Sequence, residues 1–299
     1  MSGAAARVVA QAKVNLLLRV LARERSGYHQ IETVFLRLTL GDAVTVRVGG
    51  ASRSLDCAGP AMPAGGLGPV ERNLAWRAAT AYAETAGWPA AFAIELEKVV
   101  PVGAGLGGGS ADAGAVLRAL DALAPRPLGA EALLALAARL GADVPFLTSE
   151  AAMALGWGRG ERLLALPPLP PRDVLLVLPG VSVSTADAYG WLASEREGDP
   201  RPPAGAMIAA DALASWAGAT GLAANDFEPV VERRHPIVER AVAELRARGA
   251  RIARLSGSGS AIFGVFDASA DAGSVAAALG CPVMTTRTAT RVADVEGIA

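Results

Sequence analysis

Residues 101–114 read PVGAGLGGGSADAG, a stretch with six glycines among fourteen residues and no lysine. The preceding residues 92–100 (FAIELEKVV) alternate apolar and polar side chains and predict a strand. Apolar residues at positions 116–123 recur at helical spacing and predict a helix. Strand, glycine loop and helix N-terminus are therefore contiguous, an arrangement that can bind phosphate groups through backbone N–H groups and the helix dipole.

The start of this predicted helix carries two polar side chains. We predict Ser110 as the N-cap, because a serine hydroxyl can accept a hydrogen bond from the first turn of a helix. Asp112 then falls in the first turn, where the helix dipole stabilises a negative charge. Ser110 would also offer its hydroxyl to a bound phosphate.

Three other interpretations of the glycine loop are less favoured. Gly103, Gly105 and Gly108 match the dinucleotide pattern G-x-G-x-x-G. A dinucleotide fold needs a second strand ending in an acidic residue about 20 positions later, and here Pro125 and another predicted helix occupy that region. Residues 108–110 lack the lysine of a Walker phosphate loop. A flexible linker or a tight turn would not be framed by a strand and a capped helix.

Composition predicts a globular protein of two domains. The chain has 299 residues, of which 52% are hydrophobic and 19% charged. Its net charge of -1 provides no basic field for nucleic acid or an anionic membrane surface, so we expect neither partner. The sequence shows no apolar run of membrane-spanning length and no signal-peptide pattern, and we expect a cytoplasmic location. Two isolated cysteines, Cys57 and Cys281, indicate neither a disulfide framework nor a metal site.

The first half of the chain predicts an α+β domain. Residues 7–20 alternate as a half-buried strand, which puts Lys13 and Asn15 on the same face. Residues 31–40 and 42–50 predict two further strands. Two helices are expected next, one from the N-cap Asn73 to Gly87 and another over residues 131–140 that ends at Gly141.

A proline-rich run at residues 167–171 predicts a hinge between two domains, residues 1–165 and 166–299. In the second half we expect strands at residues 173–180, on both sides of SGSG (256–259), and at 282–288. Helices are expected from Thr185, near Met207, over residues 228–248 and before the last strand. This order is compatible with a split β-α-β, ferredoxin-like domain that carries extra helices in its first crossover. The fold class is therefore α+β in both halves.

Three motifs together resemble the GHMP small-molecule kinases. AKVNLLL at 12–18 is similar to the first motif of that family, PVGAGLGGGSADAG to the second and LSGSGSAIFG at 255–264 to the third. The resemblance covers nearly the whole chain. It implies a two-domain GHMP kinase fold, in which residues 1–165 form the ATP-binding domain, residues 166–299 form a ferredoxin-like substrate domain, and the site lies between them.

Further strings are similar to one branch of this family: SGYHQIETVF, LGADVPFL and PGVSVSTADAY. That branch uses ATP to phosphorylate the 2-hydroxyl of a cytidine-diphosphate-linked methylerythritol in non-mevalonate isoprenoid biosynthesis. The alternative within the family is another small alcohol, such as homoserine or mevalonate. More distant alternatives are a dinucleotide-binding oxidoreductase and a non-enzymatic regulator.

The resemblance implies that Lys13 and Asp143 are the catalytic pair. A carboxylate that accepts the proton of the attacking hydroxyl, with a cation near the developing charge, is what phosphoryl transfer to an alcohol requires. Taken without the resemblance, Asp143 is a turn or N-cap residue and Lys13 a solvated strand residue.

The resemblance also assigns residues to the two ends of the cleft. ATP binding is expected at Pro101, Val102, Gly103, Ala104, Gly105, Leu106, Gly107, Gly108, Gly109, Ser110 and Ala111, with Asn73 and Lys98 on the adenine side. Substrate binding is expected at Asn15, Tyr28, His29, Tyr189, Thr185, Ser256, Gly257 and Ser258. In the alternative interpretations Lys98 is a solvated charge, the tyrosines fill the core, and residues 256–259 form a tight hairpin.

The sequence assigns neither the ligands of a metal ion nor the oligomeric state. Mg²⁺ is expected with ATP, but no cluster of carboxylates in the sequence assigns its ligands. The oligomeric state, monomer or homodimer, has no signal in the sequence. His235 is expected to be a surface residue on a helix.

Overall fold

A computed structural model describes residues 4–25, 27–197 and 208–298. The strands within these ranges are β1 (Ala5–Arg23), β2 (His29–Val48), β3 (Ser54–Ala58), β4 (Phe92–Glu97), β5 (Met153–Gly158), β6 (Arg162–Leu166), β7 (Asp173–Val177), β8 (Ala224–Asn225), β9 (Ile252–Leu255), β10 (Ile262–Phe266), β11 (Val283–Arg287) and β12 (Val295–Ile298). The α-helices are α1 (Leu74–Ala86), α2 (Gly108–Leu123), α3 (Ala130–Leu140), α4 (Val144–Thr148), α5 (Thr185–Arg196), α6 (Trp216–Leu222), α7 (Glu228–Arg234), α8 (Pro236–Ala247) and α9 (Ala272–Leu279). The predicted α+β class is confirmed.

The first sheet is built on the long antiparallel pair of β1 and β2. Along the path β12-β1-β2-β4-β3, strand β5 also pairs with β2 and β6, and β8 pairs with β1. The two strands predicted at residues 31–40 and 42–50 are one continuous strand, because Gly41 lies where a β-carbon would be only 2.8 Å from the carbonyl oxygen of Ala10. Glycine therefore lets β2 pass close to β1 at this point, where the register of the pair shifts between Gln11 and Lys13.

The ends of α1 were predicted correctly, but the start of α2 was not. Asn73 caps α1 by accepting a hydrogen bond from the Ala75 N–H, and Gly87 ends it with φ of 66°. The N-cap of α2 is Gly107, whose φ of 73° needs a glycine, so Ser110 lies inside the first turn and is not the cap. Asp112 lies one turn further on and is buried, so the first-turn prediction for it was also wrong.

The second sheet has the order β11-β7-β10-β9, with every neighbouring pair antiparallel. This is the ferredoxin-like arrangement expected from the sequence, with α5 to α8 inserted between β7 and β9. The single helix predicted over residues 228–248 is two helices, since α7 ends before His235 and Pro236 starts α8. His235 is half-buried between them. The helix predicted near Met207 starts outside the described residues.

The two sheets share a core. One cluster of buried side chains combines Val14 and Leu36 of the first sheet with Leu176 and Phe263 of the second. The chain also returns twice from its second half to the first sheet, through β8 and β12, which both pair with β1. The domain boundary after residue 165 stays a prediction, and these strands cross it.

Candidate active site

The glycine loop, residues 101–107, lies between β4 and α2 and is hydrogen-bonded to β1. Gly103, Gly105 and Gly107 have φ of 72°, 78° and 73°, a region that side chains other than glycine rarely adopt. The backbone N–H of Lys13 donates to the carbonyl of Leu106 at 2.9 Å. The backbone of β1 and the backbone of the loop are therefore directly joined, and the loop enters the site in a fixed position.

The third motif, residues 255–264, packs directly on the loop. The Ser256 hydroxyl donates to the carbonyl of Gly105 at 2.9 Å, and the Ala261 N–H donates to the carbonyl of Ala104 at 3.0 Å. A β-carbon on Gly105 would lie 2.1 Å from the carbonyl oxygen of Ser256. Residues 256–259 do connect the antiparallel strands β9 and β10, as the hairpin interpretation has it, and they also form one wall of the site.

Lys13 lies where the three motifs meet. Its side chain is buried, and its Nζ is 3.3 Å from Oδ2 of Asp143. A β-carbon on Gly107 would be 3.0 Å from Cγ of Lys13, and one on Gly257 would be 3.4 Å from its Nζ. Glycines of the second and third motifs thus leave the space that the lysine occupies, and Lys13 is not the solvated strand residue of the alternative interpretation.

Asp143 precedes α4 in the N-cap position, but its side chain makes no capping hydrogen bond. Its carboxylate is about one-third exposed and pairs with Lys13. Asp143 therefore stands at the N-cap position, as the alternative interpretation has it, but its side chain pairs with Lys13 and does not cap the helix. A carboxylate beside a buried ammonium can accept a proton from a hydroxyl group bound in the cleft.

Asn15 orients Lys13. Its Oδ1 accepts a hydrogen bond from Lys13 Nζ at 2.8 Å, and its Nδ2 donates to the hydroxyl of Thr33 at 2.8 Å. Thr33 in turn donates to the carbonyl of Leu17 at 2.7 Å. The lysine is fixed by a chain of buried hydrogen bonds, and the predicted contact of Asn15 with the substrate stays a prediction.

His29 and Tyr189 form a stacked pair whose Tyr189 lines the same cleft, with ring centroids 4.2 Å apart and planes 13° apart. Phe227 meets Tyr189 edge-on at 4.9 Å. Burial, with nearby arginines, lowers the pKa of His29, so its ring is neutral at pH 7. Burial and the negative charge of Asp143 raise the pKa of Tyr189 to about 12. The pair therefore offers uncharged ring surface and a ring nitrogen that can accept a hydrogen bond.

Tyr28 is 59% exposed, and the guanidinium of Arg159 lies 3.9 Å from its ring centroid. Arg159 also donates to Glu24 at 2.7 Å. The core-filling alternative is therefore wrong for Tyr28. Arg159 was missed at the sequence level, because it lies in the turn between β5 and β6 and belongs to no motif.

Lys98 is buried, with a side chain 2% exposed, and the solvated alternative is wrong. Its Nζ donates to Asp42 and, at 2.5 Å, to Asp112. Sequence reasoning missed both carboxylates as partners, because nothing in the pattern joins a strand residue of β2 to α2. The predicted contact of Lys98 with adenine stays a prediction.

The comparisons with known proteins agree with this geometry. The model of the GHMP kinases N terminal domain matches residues 73–150, and that of the GHMP kinases C terminal domain matches residues 208–283. A 4-diphosphocytidyl-2-C-methyl-D-erythritol kinase of Heliobacterium modesticaldum is 38% identical over 287 residues, covering 91% of this chain and 90% of the relative. The chain belongs to this kinase family, within the GHMP kinases. The protein of the same name from Anaeromyxobacter dehalogenans is 41% identical over 86% of this chain and 80% of its own length.

Solved GHMP kinases support the fold. A crystal structure of 4-(cytidine 5'-diphospho)-2C-methyl-D-erythritol kinase has a TM-score of 0.74 and 38% identity, covering 94% of this chain and 98% of that one. A homoserine kinase from Cytophaga hutchinsonii matches with a TM-score of 0.66 and 18% identity, which shows the fold alone. The dinucleotide-binding alternative has no support in these comparisons.

Most of the predicted residues of this GHMP kinase line one cleft of about 550 Å³. The lining includes Lys13, Asn15, Asn73, Lys98, Pro101, Val102, Gly103, Ala104, Gly105, Leu106, Gly107, Gly108, Gly109, Ser110, Asp143, Thr185, Tyr189, Gly257 and Ser258. Four predicted residues lie outside the lining. Ala111 is buried in α2, Ser256 is buried against the loop, His29 stacks on Tyr189, and Tyr28 lies beside Arg159.

The residues that the structure describes hold no group of three or more His, Cys, Asp or Glu side chains suited to a metal ion. The expected Mg²⁺ stays an expectation. In the same ranges no helix is both long and apolar enough to cross a bilayer.

Proposed function

We propose that this GHMP kinase transfers the γ-phosphoryl group of ATP to the 2-hydroxyl of 4-diphosphocytidyl-2-C-methyl-D-erythritol. The observation that supports this most directly is the Lys13–Asp143 pair at 3.3 Å, in a cleft that is lined by the glycine loop and by Tyr189, which stacks on His29. The relatives named above carry that substrate in their names.

The phosphates of ATP bind at the glycine loop. The first N–H groups of a helix have no partner inside the helix, and at α2 they lie beside the loop N–H groups, where they can donate to phosphate oxygens. Residues 101–107 contain no cation, so the charge near the transferred group comes from Lys13. A Mg²⁺ ion bound together with the nucleotide would supply further positive charge near the phosphates.

Asp143 accepts the proton of the attacking hydroxyl. The substrate 2-oxygen forms a bond to the γ-phosphorus while the bond from that phosphorus to the bridging β-oxygen breaks, and ADP leaves. The hydroxyl proton passes to Oδ of Asp143. Lys13 stabilises the negative charge on the transferred phosphoryl group, and Asn15 keeps its ammonium in place.

The cytidine binds at the His29–Tyr189 end. A neutral imidazole can both donate and accept a hydrogen bond, which suits the mixed edge of cytosine, and Tyr189 offers a ring face. Arg159 lines the same cleft and supplies a guanidinium for the diphosphate. Thr185 and Ser258, whose hydroxyls are 3.0 Å apart, bind the polar groups of the substrate between these two ends.

We assign ATP binding chiefly to residues 1–165, and residues 166–299 complete the substrate side from across the cleft. His29, Tyr28 and Asn15 are substrate-side residues that the first half supplies. We propose a cytoplasmic setting, where ATP is available as phosphate donor.

The test is turnover followed by phosphorus NMR. The chain is incubated with ATP, Mg²⁺ and 4-diphosphocytidyl-2-C-methyl-D-erythritol, and a new monoester signal beside an intact diphosphate is expected. Parallel incubations replace the substrate by homoserine or mevalonate, and no new monoester is expected there. A monoester formed from homoserine or mevalonate, and not from the cytidyl substrate, would overturn the proposed substrate while leaving kinase activity in place.

A further inference from the structure

Asp42 occupies an unusual position below the glycine loop. It is fully buried on β2, and its Oδ1 accepts hydrogen bonds from the backbone N–H groups of Val99 and Val100, at 2.5 and 2.8 Å. These are the last two residues before Pro101, where the loop begins. One carboxylate oxygen of Asp42 thus fixes the entry of the loop.

The other oxygen of Asp42 is connected to the exit of the loop. It accepts a hydrogen bond from Nζ of Lys98, which also donates to Oδ2 of Asp112 on α2 at 2.5 Å. Gly108, the first residue of α2, lies against Asp42 as well, because a β-carbon there would be 3.6 Å from Oδ2 of Asp42. Both ends of residues 101–107 are therefore tied to a single buried side chain.

We propose that Asp42 is a positioning residue for phosphoryl transfer, because it fixes the two ends of the loop that binds ATP. It holds the first end directly, at Val99 and Val100, and the second end through Lys98, which bonds to Asp112. The functional part of this inference rests on the function proposed above. A loop whose ends are fixed before ATP arrives loses less conformational freedom on binding, so its N–H groups already point where phosphate oxygens will lie. Asp42 itself makes no contact with the reacting atoms, since it is fully buried and absent from the lining of the cleft.

Asp42, Lys98 and Asp112 form a buried cluster of two carboxyl groups and one ammonium, and among the described residues no second cation pairs with either carboxyl group. Asp42, Lys98 and Asp112 are 0%, 2% and 3% exposed. Within the part of the chain that the structure describes, Oδ1 of Asp112 has no hydrogen-bond partner. Burying carboxyl groups costs desolvation free energy, and apolar side chains could fill the same space without that cost. A role in holding the loop accounts for the presence of these carboxyl groups.

Asp42→Asn tests the inference, with Asp56→Asn on the exposed face of β3 as the matched control. The amide keeps the size of the side chain but places an N–H group against Lys98 or against the backbone N–H groups, so one connection is lost. In the protein without ligand, hydrogen exchange at residues 99–110 is expected to become at least tenfold faster in Asp42→Asn and to stay unchanged in the control. The KM for ATP is expected to rise at least tenfold, while the KM for the cytidyl substrate stays within twofold.

Two results would overturn the inference. One is exchange at residues 99–110 within twofold of the wild type. The other is an equal rise of both KM values with faster exchange throughout the protein, which would indicate general destabilisation. If Asp42→Asn does not fold, Asp112→Ala replaces it, because the Asp42–Lys98 pair stays neutral there. Faster exchange at 108–112 with a threefold to tenfold rise in KM for ATP supports the inference, and changes below twofold refute it.

The exchange measurement needs neither ligand nor turnover, which separates this inference from the proposed function. A wild-type protein that fails to phosphorylate the substrate, together with a loosened loop in Asp42→Asn, would refute the function and leave the role of Asp42 in ordering the loop intact. An active wild type with an unaffected Asp42→Asn would refute the positioning role alone.

Discussion

Replacing Asp143 by asparagine tests the proposed chemistry most directly. The amide has nearly the size of the carboxylate but cannot take a proton from the substrate hydroxyl. At 3.3 Å the attraction between Lys13 and Asp143 is about 5 kcal/mol at an effective dielectric constant of ~20. The Asp143 side chain is 31% exposed, so water reduces this value. Lys13 keeps its hydrogen bond to Asn15 at 2.8 Å, so the lysine is expected to stay in place.

The expected effect of Asp143→Asn lies in kcat. Loss of a positioned general base lowers kcat by roughly 10²- to 10⁴-fold, which corresponds to about 3–5 kcal/mol of activation free energy. KM for ATP is expected to change less than threefold, because the loop and α2 are untouched. The assay is steady-state ADP release with the cytidyl substrate, and the control is Asp294→Asn, a surface residue 80% exposed. A kcat of Asp143→Asn within fivefold of the wild type would remove Asp143 from the role of base.

Three further perturbations probe the loop, the substrate end and the buried charges. Gly105→Ala is expected to lower the free energy of unfolding by about 2–5 kcal/mol, because the added β-carbon meets the backbone of Ser256. Gly103→Ala is expected to lower it by only about 1–2 kcal/mol, because Gly103 has a φ of 72° but no atom within 4 Å of an added β-carbon. Equal losses of the two variants in urea unfolding would refute the contact of Gly105 with Ser256. His29→Ala is expected to raise the KM for the cytidyl substrate about tenfold. In the wild type the same KM is expected to rise as the pH falls below 6.5, because protonation of His29 removes the accepting nitrogen, and a pH-independent KM would contradict the role of His29. Burial raises the pKa of Asp112 from 3.8 to about 7, so the folded state binds its proton more tightly than the unfolded state, and the stability from this group is lost as pH rises from about 4 through about 7. Asp112→Asn removes this pH dependence. The unfolding free energy of the wild type minus that of Asp112→Asn is therefore expected to be about 1–3 kcal/mol smaller at pH 8 than at pH 5. The same difference at both pH values would show that Asp112 does not titrate in this range.

Local patterns in the sequence were enough for the elements around the phosphate loop. The strand over residues 7–20, the N-cap at Asn73 and the glycine at the end of α1 follow from rules of neighbouring residues and were confirmed. The half-burial predicted for that strand was wrong, because residues 10–18 of β1 are buried on both faces. The N-cap of α2 was wrong for a local reason as well. A hydroxyl is a common cap, but the left-handed backbone at Gly107 ends the loop three residues earlier.

Elements that depend on distant partners were not predicted. Strands β5 and β6 lack a clear alternating pattern, and β3 alternates over only five residues. Each is held by pairing with a strand far along the chain or with its neighbour in the sheet. The helix predicted over residues 228–248 was broken by Pro236, whose missing N–H makes it a first residue of a helix.

The sequence by itself determined the fold class, the glycine loop and the family resemblance, and that resemblance supplied Lys13 and Asp143 as candidates. These properties lie in short runs of residues, where spacing and residue type carry the physical meaning. Only the tertiary structure decided which carboxylates each lysine contacts. Lys98 and Lys13 are both strand lysines in the sequence, yet one lies buried between Asp42 and Asp112 and the other lies 3.3 Å from Asp143 at the cleft. Their difference comes from segments distant in the chain that pack against them, because burial and paired charge are properties of the assembled core.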